Sequence, residues 1–386
     1  MNKAPRASIT AMPSIRMART ALGVAALAIT MAACGSQEDR LAQNGIVSAP
    51  LESNAEVLAD GLVVPHAAAV ISENEFLFTE RFIGLSHYVD GEVTRIEGTP
   101  GLGTVTAGFT NVGGLMDVSL HPDFDSNGLV YLSFLNEELT MSVARFDFSD
   151  RAIADLEIIF ESVDGSFGSS IAWQDSDHFF VTQGTLDLTP PQDVGHGEGK
   201  IHRLRADGST PSDNPIFDGQ DGPGTVWSLG HRNNQGLFMD GDTLYATEHG
   251  DQDGDELNVI VAGGNYGFPN VTSGSIEGVA PAVDDETLAA MIEPAVTWPS
   301  FTIAPTGVTR LRNSSFPDLD GRFVFGGLVS QQLVAVDIDT GETAVLLEDV
   351  GRIRDVDQLP SGDILMTVES PNNAPINGEL IRLSPS

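Results

Sequence analysis

Short apolar runs that return six times to the same strand, turn and strand leave a chain few ways to fold. First strands begin near Ala67, Gly114, Gly168, Asn233, Pro305 and Arg352. Second strands follow at Glu75–Phe78, Leu129–Phe134, His178–Thr182, Thr243–Thr247, Arg322–Phe325 and Asp363–Thr367, and closing strands include Lys200–Leu204, Gln332–Asp337 and Glu379–Leu383. Within the runs apolar and polar residues alternate, as in Leu129-Val130-Tyr131-Leu132-Ser133-Phe134, and Gly, Asp, Asn and Pro punctuate them. Almost no helical period is present. Several strands per unit at this repeat length indicate a β-propeller, and a two-sheet sandwich has no use for so many equivalent hairpins. The fold expected for residues 55–386 is therefore all-β, a six-bladed β-propeller.

The N-terminus carries an address. Lys3, Arg6, Arg16 and Arg19 precede an apolar run from Ala21 to Met31 that is too short to span a bilayer, which reads as a signal peptide over residues 1–33. The run closes on Met31-Ala32-Ala33 before Cys34, the chain's single cysteine and the expected site of lipidation. Residues 34–54 are small, polar and aperiodic, as a tether would be. With no cysteine pair, stability rests on burial and not on disulfides. The leader holds four of the 19 Lys and Arg and none of the 55 Asp and Glu, so the mature chain is near about −40. Nucleic acid is excluded as a partner, and every retained arginine calls for an explanation. The expected location is the periplasmic side of a Gram-negative outer membrane, with membrane contact only through the lipid anchor; Gly35 after the cysteine is consistent with that sorting.

The densest local pattern runs from Trp227-Ser228-Leu229-Gly230-His231-Arg232-Asn233-Asn234-Gln235-Gly236 through Thr247-Glu248-His249-Gly250 and Asp255-Glu256-Leu257-Asn258 to Gly264-Asn265-Tyr266-Gly267. Gly113-Gly114-Leu115-Met116-Asp117, Leu120-His121-Pro122-Asp123-Phe124, Ile303-Ala304-Pro305-Thr306-Gly307 and Gly351-Arg352-Ile353-Arg354-Asp355 stand in order around it. Together these segments resemble the glucose and sorbosone dehydrogenase family, and especially its aldose sugar dehydrogenases, six-bladed propellers that use pyrroloquinoline quinone (PQQ). The resemblance implies that Arg232, Asn233, Arg352 and Arg354 contact the cofactor. Its three carboxylates suit arginine forks, and Arg352 and Arg354 alternate on a strand and so share a face. The competing reading pairs these arginines with neighbouring acids such as Asp355. The resemblance also implies calcium, held by Glu256 and Tyr266 in one branch of the family or by backbone beside Gly250 and Asp251 in the other.

The pattern breaks where a base should stand. Oxidation of a sugar hydroxyl needs a proton acceptor, a histidine in this family, four residues before an arginine. Here those positions are Ser166 and Ser170. A serine hydroxyl stays protonated at neutral pH and is no base unaided, which leaves Asp164, Asp193 and His196 as substitutes. The function expected is PQQ- and calcium-dependent oxidation of aldoses or related alcohols to lactones, with a sugar as substrate and a periplasmic or membrane electron acceptor. The alternatives are a non-catalytic propeller that binds a ligand or glycan, and a calcium-dependent lactonase.

Overall fold

The computed structural model describes residues 46–107, 110–185, 187–274, 284–369 and 377–386. The signal peptide, Cys34 and the tether up to residue 45 lie outside them. Six sheets of at least four antiparallel strands each follow one another along the chain. Their first strands are Pro65–Ser72, Leu115–Leu120, Ile171–Trp173, Asn233–Asp240, Pro305–Arg310 and Arg352–Gln358, which we number as the innermost strands of blades one to six. A cavity of about 420 Å³ is lined by Val70, Leu120, Trp173, Met239, Thr309 and Gln358, one residue from the end of each of those strands. The six strands therefore run the same way around one channel. The cavity lies toward their C-terminal ends, and their N-terminal ends gather at the other end of the channel, its mouth.

Packing explains the sequence pattern. Apolar side chains sort into six clusters, one at each junction between neighbouring blades, where a sandwich would have a single core. Successive residues of a second strand serve opposite junctions: Phe76 and Phe78 face blade six while Leu77 faces blade two. Val324 likewise faces blade six while Phe323 and Phe325 face blade four. A strand buried on both faces reads as a continuous apolar run, as the middle strands do.

Polar contacts stitch the innermost strands into a ring. Asp117 of blade two accepts the amide of Ile171 in blade three at 2.5 Å, and Ser170 of blade three accepts that of Leu237 in blade four at 3.2 Å. Thr247, on the second strand of blade four, donates to Thr306 O of blade five at 2.7 Å, and Thr306 to Ile353 O of blade six at 3.0 Å. Ser170 thus stands in the ring and not at the mouth.

Two features depart from the sequence reading. Each unit has a fourth, outermost strand. The segments taken as closing strands, such as Lys200–Arg205 and Gly378–Pro385, are third in order. The first of these edge strands was illegible because it lacks an apolar face: Glu92–Arg95 is exposed throughout. Nor does the expected tether reach Asn54, since Ile46–Ser48 pairs in parallel with the edge of blade five and buries Ile46 in its core. Ser53–Leu62 then supplies the outermost strand of blade six, antiparallel to Gly378–Pro385, so the two ends of the body share one sheet.

Candidate functional site

Arg352 and Arg354 open the innermost strand of blade six and both reach Glu369, which ends the next strand and is the cross-strand partner of Arg352. Arg352 Nε lies 3.3 Å and Arg354 Nε 2.7 Å from the same Oε2. The expectation of a shared face holds, and the acid that answers them is Glu369. Among the described residues Asp355 pairs with no arginine: its carboxylate accepts the amides of Ala68 and Val356. A third guanidinium, Arg81, follows the second strand of blade one. It is buried and spends its donors on two carbonyls, Gly113 O at 2.7 Å and Phe167 O at 3.3 Å.

Two guanidiniums thus share one carboxylate, and a third, Arg81, lies close enough to feel all three charges. Their mutual influence shows in titration: burial, then the charge of Arg354, lowers Arg81 to about 9. Beside them His66 is buried with both ring nitrogens unpartnered among the described residues, and burial followed by the charges of Arg81 and Arg354 holds it neutral. On the far side of the mouth Arg232 pairs with Asp251 at 3.1 Å. Its neighbour Asn233 is wedged under Gly184 and Gly168, where a β-carbon would stand 2.3 and 2.8 Å from the Asn233 Oδ1. His249, which lies against Asn233 and Pro305 O, is pushed down to about 3 by burial and then by Arg232. The mouth therefore sets fixed cations around neutral imidazoles, a field that favours an anion.

The segment expected to hold calcium contains a buried polar network. Glu248 accepts from Arg232 N, Asn234 Nδ2 and Asn258 Nδ2 and lies 3.0 Å from His231 Nδ1. Asn258 Nδ2 also reaches Glu256, at 3.1 Å, and so bridges two carboxylates. Burial and the Glu248 charge push Glu256 up to about 7. Asn234 Oδ1 and Asn258 Oδ1 are buried without partners among the described residues. Amide oxygens and nitrogens are exchangeable by a flip, so this set offers a hard cation two carboxylates and two uncommitted oxygens, and the donor chemistry fits calcium. The Tyr266 side chain does not join it. Its phenol donates to Val259 O at 2.5 Å, accepts from Val261 N at 3.0 Å, and its ring stacks on His231. Only its backbone could ligate. Asp251 is committed to Arg232, and Gly250 donates its amide to Asp255. Among the described residues no three His, Cys, Asp or Glu side chains converge at ligand spacing.

Ser166 is buried in its own turn, donating to Gly168 O at 2.6 Å and accepting from Gly184 N at 3.1 Å. It has no role open to substrate. Of the substitutes, Asp193 closes a local turn by accepting Gly195 N at 2.8 Å, as an Asp beside a Gly commonly does. Asp164 and His196 are brought together, Oδ2 to Nδ1 at 3.1 Å. Ser228, His231 and Glu248 have the connectivity of a hydrolytic triad, but Ser228 and His231 are fully buried and admit no substrate.

Sequence reasoning missed Arg81, His66, Glu248 and Glu369. Arg81 could have been found by asking each scarce arginine for its acid. Glu369 becomes visible only with the strand register.

The fold and site define a six-bladed propeller with guanidiniums gathered at the mouth of its channel. The family model described as Glucose / Sorbosone dehydrogenase matches residues 62–382, and the chain belongs to that family. It is 29% identical over 365 residues to the aldose sugar dehydrogenase YliI of Escherichia coli, covering 88% of this chain and 94% of that protein. The quinoprotein glucose dehydrogenase B of Acinetobacter calcoaceticus is 30% identical over 251 residues, 56% of this chain and 52% of the other. The crystal structure of the soluble aldose sugar dehydrogenase of Escherichia coli in the apo-form superposes with a TM-score of 0.75 at 27% identity, over 86% of this chain and 100% of that one.

Proposed function

We propose that this protein is a PQQ- and calcium-dependent dehydrogenase that oxidises aldoses or related alcohols to lactones. The observation that carries the reading is the mouth itself: in a chain of net charge −36, Arg352 and Arg354 share the single carboxylate of Glu369, and the buried Arg81 beside them is held by carbonyls alone. Excess buried guanidinium is stabilised by an anion, and a tricarboxylate cofactor supplies several. Arg352 and Arg354 would hold it from one side and Arg232 from the other, with calcium held by Glu256 and Glu248. When bound, the quinone accepts hydride and the metal polarises its carbonyl. The chain's own part is to fix that anion by charge, to keep His66 and His249 neutral beneath it, and to present an open rim to sugar.

The test is titration of PQQ into purified mature protein with and without calcium, followed by absorbance, and then dye reduction with a panel of aldoses. Binding with turnover supports the reading; absence of quinone binding would overturn it. The buried state of Ser166 favours a second reading, a propeller that binds quinone or sugar without turnover, and saturable binding with no dye reduction would establish that instead. We further propose that the protein is exported and lipid-anchored through Cys34, outside the described residues; an N-terminal peptide without acyl chains in mass spectrometry of the native protein would refute this.

A further inference from the structure

We infer that His196, oriented by Asp164, is the general base of this site, in place of the family histidine whose position Ser166 occupies. The inference rests on the dehydrogenase reading above. Two loops carry the pair, 162–170 and 184–199, and other residues of the same loops touch both cationic sides of the mouth. Phe167 O accepts from Arg81 at 3.3 Å, Thr185 N donates to Arg232 O at 2.6 Å, and His231 N donates to Gly199 O at 3.2 Å. The two loops that carry the pair thus run between the arginines of blades one and four.

Its geometry is that of a directed imidazole. Asp164 Oδ2 lies 3.1 Å from His196 Nδ1 and also accepts the amide of Gly197 at 2.8 Å, which fixes the carboxylate against the loop that carries the ring. With Nδ1 protonated toward the carboxylate, Nε2 is left with its lone pair outward. The imidazole is 44% exposed against 24% for Asp164, so the ring faces solvent and the acid stands behind it. No other described histidine at the mouth combines orientation with access: His66, His231 and His249 are buried or nearly so, and His249 Nε2 is spent on Pro305 O. His121 and His178 bond within blades two and three, at Ser176 O and Asp175, away from the arginines.

The charged groups around the pair are Glu198, Asp187, Asp193 and Lys200. Glu198 accepts from Thr185 Oγ1 at 2.7 Å, and the Lys200 ammonium is anchored on Pro190 O and Glu198 O. In the step assigned to it, His196 Nε2 takes the hydroxyl proton of the sugar as the hydride on the same carbon leaves for the bound quinone. The O–H and C–H bonds break, the C=O bond forms, and the two electrons end on the quinone.

The experiment compares wild type with His196→Gln and Asp164→Asn in the mature protein loaded with PQQ and calcium. His196→Gln is expected to lower kcat by about 10²–10⁴-fold, the usual worth of a positioned base. Quinone affinity should stay within about twofold, the acid limb of the kcat–pH profile should vanish, and added imidazole should restore part of the rate in His196→Gly. Asp164→Asn should lower kcat less and move that limb. A readout independent of turnover is the ¹⁵N spectrum of histidine in the cofactor-free protein, where Asp164→Asn should change the tautomer of His196. Quinone binding and turnover that survive His196→Gln with an unchanged pH profile would overturn the assignment and leave the dehydrogenase reading standing. Failure of wild type to bind quinone would overturn both, and the two results are read from separate titrations.

Discussion

Asp355 Oδ2, on the innermost strand of blade six, accepts the amide of Ala68 on blade one at 2.9 Å across 287 positions of chain. That bond joins the last blade to the first at the channel wall. It also places a carboxylate near two others, Asp117 and Asp357. Burial raises Asp355 to about 6, and burial followed by their neighbours' charges raises Asp117 and Asp357 well above the usual range. Asp357 Oδ2 is buried without a partner among the described residues.

Asp357→Asn should therefore stabilise the protein in a pH-dependent way. Below the ordinary aspartate value of 3.8 these carboxyls are protonated in folded and unfolded chains alike, and the variant gains nothing from charge removal. As pH rises above that value the unfolded chain ionises freely, while in the folded one burial and the charges of Asp355 and Asp117 resist ionisation of Asp357, so wild-type stability falls relative to the variant until Asp357 ionises in the fold as well. The expected gain at pH 7–8 is on the order of 1–3 kcal/mol, read as a rise in Tm that disappears at pH 4. A pH-independent difference would refute the repulsion argument.

Glu369→Gln tests the cationic mouth. Although burial pushes the Glu369 carboxyl up, the charges of Arg354 and Arg352 hold it below the usual range, so it is ionised and shared. Removing its charge leaves two guanidiniums facing each other, and the cofactor-free variant should lose about 2–4 kcal/mol. An anion then supplies what the glutamate did. Citrate or PQQ should raise the Tm of the variant by more than that of wild type, measured by calorimetry at fixed ligand concentration.

Calcium should raise the Tm of wild type and leave Glu256→Gln nearly unmoved. Between Glu248 and Glu256 a divalent cation relieves like-charge repulsion, and at a free concentration of about 100 times Kd it is worth about 2.7 kcal/mol. Equal responses in the two proteins would place the metal elsewhere.

Placing the family residue at position 166 should not raise turnover. Ser166 fits because its hydroxyl is small and answers both Gly168 O and Gly184 N. Ser166→His breaks both bonds and forces a ring into a buried turn, so Tm should fall by the equivalent of about 1–3 kcal/mol without a gain in kcat. A rise in turnover would show that the turn opens in solution.

The ring was legible in the sequence because its middle strands are buried on both faces: Phe76, Leu77 and Phe78 announce themselves as apolar and strand-like. The edge strand of blade six was not, because Ser53–Leu62 carries few buried side chains and is defined by its pairing with a strand more than 300 positions away. At the site, Arg352 and Arg354 could be placed on one face from their spacing alone. Their shared acid could not, since Glu369 meets them through register. Tyr266 shows the opposite limit: its motif position was plain, but only the structure shows its phenol turned away to Val259 and Val261.

Blade six is assembled from both ends of the body, Ser53–Leu62 and Gly378–Pro385. Residues made among the first cannot pair until those made last have appeared. Every incomplete chain is therefore an open arc with a raw sheet edge and a half-formed cationic mouth. Completeness is thereby built into the architecture as a condition for function: a product truncated before Gly378 offers proteases an unclosed ring and leaves the arginines of blade six on an unfinished sheet.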